Sequence, residues 1–229
     1  MMQRTVVVIS AGLGVPSSTR MLADQLGAEV QSQLQAMGVT AVLDVIDLRN
    51  YATDIANNMV SGYAGPALAE VVKRVEAADA MIAVTPTFSA SYSGLFKSFF
   101  DVLDPKFLDG MPVLFGATGG SSRHSLVLDM SIRPLFSYLR ANTMPTAIYA
   151  SPEDWGGAGS NTLERRISQG AGELAAVLAI GASAGSAKGS AQEGPQAVFV
   201  DHKEKRAQRE MSEMTSLPFE ELLAQTQRR

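Results

Sequence analysis

At 229 residues, 46% of them hydrophobic, the chain is long enough for one well-packed domain of ordinary size plus an appendage. It has no cysteine, which excludes thiol catalysis, disulfides, iron–sulfur clusters and thiolate metal sites together; its two histidines, His124 and His202, stand without an acidic cluster, so no metal site is expected. A net charge of −4 with both signs interspersed argues against nucleic acid or an anionic membrane as the main partner, and no run approaches a membrane span, so a soluble, cytoplasmic protein is expected.

The N-terminal apolar stretch is too short for a signal sequence and ends in a glycine loop rather than a cleavage site. From there, apolar runs rich in β-branched residues alternate with helical spacing. Residues 5–10 read as a strand, 19–37 as a helix, 41–46 as a strand and 66–77 as a helix. A strand over 80–85 leads to a helix over 94–103, a strand over 112–117 to a helix over 122–140, and a strand over 146–150 to a last helix over 161–180. Ser160 or Asn161 caps that helix and Gly181 is its expected stop. Apolar runs without strict alternation belong to strands covered on both faces, hence a parallel sheet. The pattern predicts a three-layer α/β fold, with a five-stranded parallel sheet in the flavodoxin-like order 2-1-3-4-5 and helices on both faces.

The domain is expected to end near residue 180. Residues 181–196 are rich in Gly, Ala and Ser with no apolar period, as in a flexible linker. Residues 197–229 then read either as a disordered, solvated tail or as an arm that docks on a second subunit or partner through Phe199, Phe219, Leu222 and Leu223.

Three strand-to-helix loops carry the chemistry. In the first, Ser10 to Arg20, Gly12 and Gly14 permit close backbone approach, and Ser17, Ser18 and Thr19 cluster where a helix begins. A helix N-terminus offers unpaired amides and partial positive charge, so it can hold a phosphate; a plain Ser/Thr cap is the alternative. Gly12-x-Gly14 is not a dinucleotide fingerprint, and no Gly-Lys-Ser/Thr ending marks a triphosphate loop. The second, Thr85-Pro86-Thr87-Phe88, offers hydroxyls, backbone amides and an aromatic face, but no acid–base pair. A planar heteroaromatic cofactor such as flavin needs those groups. Tyr92 and Phe96 are read as sharing a face of the following helix in core packing or a subunit contact, and Lys97 as solvated. The third, Gly116 to His124, contains Thr118, Gly119 and Gly120, whose backbone can lie against a flat ligand. His124 reads as a helix-start residue rather than a catalyst. In a flavodoxin-like sheet these loops follow neighbouring strands and meet at one edge.

These residues resemble the NADPH-dependent FMN reductases of the flavodoxin-like superfamily, above all the reductase components of two-component flavin monooxygenase systems, including the alkanesulfonate type. The carriers are Pro16-Ser17-x-Thr19, Thr85-Pro86-Thr87-Phe88, Tyr92-Ser93-Gly94-x-x-Lys97, Ala117-Thr118-Gly119-Gly120 and Asp129-x-x-Ile132-Arg133-Pro134-Leu135. Residues 10–20 and Pro152-Glu153-Asp154-Trp155-Gly156 further resemble a branch paired with luciferase-like monooxygenases. The resemblance implies FMN phosphate at Ser17, Ser18 and Thr19, with Ser10 in the same cofactor-binding loop, and an isoalloxazine ring framed by Thr85, Pro86, Thr87, Phe88, Thr118, Gly119 and Gly120. It implies a homodimer or homotetramer and a partner monooxygenase that receives reduced FMN. Two positions depart from the family: Gly14 stands where many relatives have an arginine, leaving Arg20 as a source of charge, and Met130 stands where alkanesulfonate-type reductases have an aromatic residue at a subunit interface.

The reaction so implied is hydride transfer from NADPH, or NADH, to FMN, with no catalytic side chain and no metal, because the cofactor carries the chemistry. Arg20, Arg123 and Arg133 are each candidates to pair a 2′-phosphate, with nothing in the sequence assigning that task, and Trp155 either borders the flavin face or covers the helix layer. Other readings of the same pattern are an FMN-binding electron carrier, a quinone or azo reductase, and a flavin-free regulatory fold whose loops are only caps.

Overall fold

The computed structural model describes residues 3–156 and 160–186, together with His202, Lys203 and Ala207. The chain divides into the units Met1–Phe199 and Val200–Arg229, and every element below lies in the first.

The centre is a parallel sheet. Strands β1 (Gln3–Ser10), β2 (Thr40–Asp47), β3 (Ala80–Phe88) and β5 (Pro112–Thr118) are the apolar runs expected from the sequence. Between β3 and β5 a two-residue strand, β4 (Ser91–Tyr92), turns back antiparallel on β3, pairing Thr87 with Tyr92 and Phe88 with Ser91. The fifth position of the sheet is split. β6 (Asn142–Thr143) pairs with Pro112 and Val113, and β7 (Ile148–Ala150) pairs with Gly116 to Thr118. Pro145 lies between them and has no N–H to give to a ladder. The Thr146 N–H turns to the Glu173 carboxylate at 2.8 Å instead, so the strand expected over 146–150 begins only at Ile148. In the full numbering the order is β2-β1-β3-β5 with β6 and β7 at the edge. The short β4 and the split edge shift the labels away from 2-1-3-4-5, while the five sheet positions keep their relative places.

Helices cover both faces. α1 (Ser18–Ala36) and α6 (Ser160–Ser186) pack on one, with Leu22, Leu26, Val30 and Leu34 of α1 and Leu163, Ile167, Ala171 and Leu174 of α6 buried at helical spacing against Val6, Val8, Ile82 and Leu114. On the other face lie α2 (Ala52–Ser61), α3 (Pro66–Ala77), α4 (Gly94–Asp101) and α5 (Arg133–Tyr138). There Phe96, Phe99, Phe100, Phe115 and Phe136 form a fully buried aromatic group, with the Phe100 and Phe136 centroids 5.1 Å apart. Truncating one such ring to alanine costs about 3–5 kcal/mol.

Three further expectations change. The helix expected over 122–140 is broken into a 3₁₀ turn (Ser122–His124), a π-helical turn (Leu128–Ile132) and α5. Pro134 has no N–H for an i−4 bond, so the ladder loosens just before it. Tyr92 lies on β4 and not on the helix, although its ring still sits 5.8 Å from that of Phe96. Gly181 does not stop α6, which continues to Ser186 into the stretch expected as linker. Ala182 and Ala184 favour helix, and extending an existing helix is far easier than nucleating one. Residues 187–196 of that linker lie outside the described residues, as do the tail positions Phe199, Phe219, Leu222 and Leu223.

Candidate functional site

The register brings three strand ends to one edge: Ser10 lies beside Val84, and Pro86 beside Thr118. In open α/β sheets ligands bind at that edge.

The loop after β1 closes tightly. A Cβ at Gly12 would stand 2.0 Å from Ser17 Oγ, so a side chain there would have to displace the Ser17 hydroxyl. Ser17 caps α1, its Oγ accepting the Arg20 N–H at 3.2 Å. Ser17 is half-buried and Ser18 exposed, while Thr19 is turned inward. The Thr19 and Thr118 hydroxyls share a buried hydrogen bond of 2.8 Å, which ties the first loop to the third.

After β3, Thr85 acts as a brace. Its buried Oγ1 donates to the Pro86 carbonyl at 3.0 Å and accepts the Ser93 N–H at 3.1 Å, and Ser93 caps α4 by accepting the Phe96 N–H at 3.2 Å. Thr87 is half-buried with a shielded Oγ1 that makes no well-formed hydrogen bond, and Phe88 is 47% exposed at the rim. The chain then reverses through Ser89 (φ 46°) and Ala90 (φ 67°), two consecutive left-handed residues without a glycine.

After β5 the backbone comes close to Tyr149. A Cβ on Gly119 would lie 2.1 Å from the Tyr149 hydroxyl, which donates to the Ser121 carbonyl at 2.8 Å. Burial pushes the Tyr149 phenol above its ordinary pKa, against the smaller opposing effect of the Thr87 hydroxyl; the Asp154 charge adds to the rise.

The three loops line one cavity of about 350 Å³. Of the residues singled out in the sequence, Ser17, Ser18, Thr19, Pro86, Thr87, Phe88, Thr118, Gly119 and Gly120 line it. Ser10 and Thr85 are fully buried behind it. Leu13, Gly14, Pro16 and Pro152 complete the wall, which has no charged side chain among the described residues.

Pro152 is held there by a small network. Ser151 and Asp154 form a capping box, Arg166 pairs with Asp154 at 2.6 Å, and Arg166 Nη1 donates to the Tyr149 carbonyl at 2.9 Å. Burial raises the Asp154 pKa, but the Ser151 N–H and hydroxyl, together with Arg166, outweigh it and hold the carboxyl below its usual range.

The candidate cations divide. Arg20 lies along α1 on Asp24 at 2.8 Å, with Asp47 at 3.9 Å. Arg133 is committed to Asp129, to the Met144 and Pro145 carbonyls and to the face of Phe115. Arg123 and His124 are exposed, Lys97 pairs with Asp101, and Trp155 packs half-buried against the α1–α6 layer. The sequence reading passed over Tyr149, whose hydroxyl shapes the third loop, and Arg49, which donates to the Gly14 carbonyl at 3.1 Å. Neither has a spacing signal, since both contacts are long-range.

The wall therefore offers hydroxyls, backbone amides, a helix N-terminus and a flat glycine surface. These fit a phosphorylated planar ligand and supply no general acid or base. Among the described residues, no group of three His, Asp or Glu side chains could hold a metal ion, and no helix is long and apolar enough to cross a membrane.

A parallel sheet in this order, with its ligand-type loops at the carboxyl ends of β1, β3 and β5, defines a flavodoxin-like α/β protein. The pattern of one family, described as NADPH-dependent FMN reductase, matches residues 4–156. The chain belongs to that family. It is 38% identical over 152 residues to an FMN reductase (NADPH) of Pseudomonas aeruginosa, covering 66% of this chain and 78% of that one. It is 36% identical over 148 residues to an NADH-dependent FMN reductase, SfnF, of Pseudomonas putida, covering 65% and 77%. An oxidoreductase structure from Corynebacterium diphtheriae superposes with a TM-score of 0.75 at 44% identity, covering 77% of this chain and 97% of that one.

Proposed function

We propose that this chain is an NAD(P)H-dependent FMN reductase that hands its reduced FMN to a flavin-dependent monooxygenase. The observation that carries the reading is the meeting of three ligand-type loops on one cavity, with no charged side chain in its wall among the described residues. The N-terminus of α1, with the Ser17, Ser18 and Thr19 hydroxyls, would hold the FMN phosphate, where the helix dipole favours an anion. Pro86 to Phe88 and Thr118 to Gly120 would frame the isoalloxazine ring; Pro86 has no N–H and Gly119 gives its own to the Ala150 carbonyl at 3.1 Å, so these two would offer shape rather than donors. Ser10 and Thr85 support those loops from behind.

When bound, FMN supplies the ring that accepts hydride from the nicotinamide of NADPH or NADH. The chain's own part is geometric. Thr85 and Ser93 hold the second loop on α4, the Thr19–Thr118 bond holds the first loop to the third, and the half-exposed Phe88 shields the rim. Fixing two reactants at a productive distance accounts for much of such a rate.

Residues 1–180 form the reductase domain in this reading. The monooxygenase partner rests on the resemblance to two-component systems, and a cytoplasmic site follows the pool of reduced pyridine nucleotide. A homodimer or homotetramer is supported by exposed apolar side chains, Leu126, Met130 and Tyr138, on the segment that carries α5.

The test is anaerobic mixing of the chain with FMN and NADPH, following the visible absorbance of the flavin, with NADH and FAD in parallel. Rapid bleaching that is lost in a Ser17→Ala/Thr19→Ala variant is expected. Tight FMN binding with no bleaching by either nucleotide overturns the reductase and leaves an electron carrier. Reduced FMN that stays with the protein through ultrafiltration overturns the hand-over.

A further inference from the structure

The loop from Ala11 to Thr19 contains no charged residue, and neither does the cavity wall among the described residues, yet the phosphate proposed there is a dianion. A guanidinium nevertheless reaches the loop from another element. Arg49 follows β2, its Nη1 donates to the Gly14 carbonyl at 3.1 Å, and its Nε lies 3.2 Å from Asp47 Oδ2. Gly14 is itself part of the wall.

Asp47 is an unusual anchor. It sits opposite Ser10 in the β1–β2 register, and its Oδ2 gathers both Arg49 and the more distant Arg20. Its Oδ1 is buried without a hydrogen-bond partner among the described residues, as is Ser10 Oγ beside it. An ion pair with a third of its arginine exposed adds little to stability, so the arrangement is weakly motivated as a fold contact. Arginine recognises phosphate well, through a planar fork of donors that keeps its charge at any working pH. Both arginines have Nε engaged by a carboxylate and Nη2 without a partner among the described residues, but the Arg49 side chain is the one that bonds the loop backbone, at Gly14.

We propose that Arg49 is a positioning residue for the FMN phosphate: fixed by Asp47, it pins the Gly14 carbonyl and brings to the loop the positive charge that residues 11–19 lack. The inference rests on the FMN reading above. Because the peptide is planar, holding the Gly14 carbonyl also turns the Val15 N–H to the opposite side, away from Arg49, so the loop is set before ligand arrives. The cation thus acts from outside the wall, in place of an arginine within the loop.

The experiment compares affinity for FMN and for riboflavin, which lacks the phosphate, in the full chain and in Arg49→Ala, Arg49→Lys and Arg49→Gln variants, by quenching of flavin fluorescence at low salt. Arg49→Ala and Arg49→Gln should weaken FMN about tenfold and leave riboflavin unchanged. Arg49→Lys keeps the charge but not the fork, and should recover part of the loss. Added salt should narrow the gap between wild type and Arg49→Ala. If the FMN-to-riboflavin ratio of these variants equals that of wild type, the inference is overturned while the FMN site stands; any one folded variant suffices. A wild-type chain that binds neither flavin removes the site, and the inference with it.

Discussion

The Thr19 and Thr118 hydroxyls meet at 2.8 Å although 99 positions separate them in sequence. Thr19 opens α1 and Thr118 closes β5, so a single bond joins the phosphate side of the cavity to its ring side. Both residues are nearly fully buried, 2% and 3% exposed, which makes either hydroxyl costly to leave alone. Thr19→Val or Thr118→Val should each lower stability by about 1–3 kcal/mol in chemical denaturation. The double valine should cost less than the sum, because no orphaned hydroxyl remains. FMN affinity should fall several-fold in each single variant. Additive losses in the double variant would show that the bond does not couple the loops.

Gly119 and Tyr149 make a second, steric pair. An alanine at 119 would place its Cβ 2.1 Å from the phenol oxygen and 3.1 Å from Cζ. Gly119→Ala should therefore destabilise by roughly 2–3 kcal/mol and weaken flavin binding, as overpacking does in a closed site. Adding Tyr149→Phe removes the oxygen and leaves only the milder contact. Most of the thermal stability should return, and a double variant no more stable than Gly119→Ala would refute the clash.

Much of this arrangement was legible in the sequence, and the omissions have physical causes. β1, β3 and β5 are buried on both faces, so each reads as an unbroken apolar run. α2 escaped because only Ile55 of its side chains is buried, leaving no apolar stripe to detect. β4 has two residues, too few for any period. The loops were visible as clusters of Gly, Ser and Thr at strand ends, but not the difference between Thr87, which lines the cavity, and Thr85, which braces α4 from behind. That difference depends on how β3 turns. Arg49 and Tyr149 act through contacts with Gly14 and Gly119 that no local pattern encodes.

The turn beside Phe88 holds two L-residues, Ser89 and Ala90, at φ 46° and 67°. Two-residue hairpins of this hand favour Asn-Gly, and a side chain at positive φ costs about 1 kcal/mol or more. Ala90→Gly should relieve that cost and, after the added freedom of the unfolded chain, raise stability by about 0.5 kcal/mol. Ala90→Val should lower it by at least 1 kcal/mol, since a β-branched residue tolerates this region worst. Paired melting curves of the two variants decide the matter: equal midpoints would mean that the turn is not strained in solution.

Asp154 gives the pocket an acid-sensitive hinge. Burial alone would raise its pKa, but the Ser151 N–H and hydroxyl and the Arg166 guanidinium prevail, and the folded value lies below the ordinary one. A carboxylate depressed in the folded state contributes stability above its unfolded pKa of about 3.9, and that contribution is lost as pH falls through the folded value. Stability should therefore be insensitive to this group at neutral pH and decline below about pH 4. In Asp154→Asn the neutral-pH stability should be lower and the decline shallower, since the amide cannot titrate. Because the same network carries Pro152 into the cavity wall, flavin affinity in wild type should weaken over the same acid range. Denaturation curves from neutral pH to pH 3 in the two proteins test the linkage, and parallel declines in both would assign the acid sensitivity to other carboxylates.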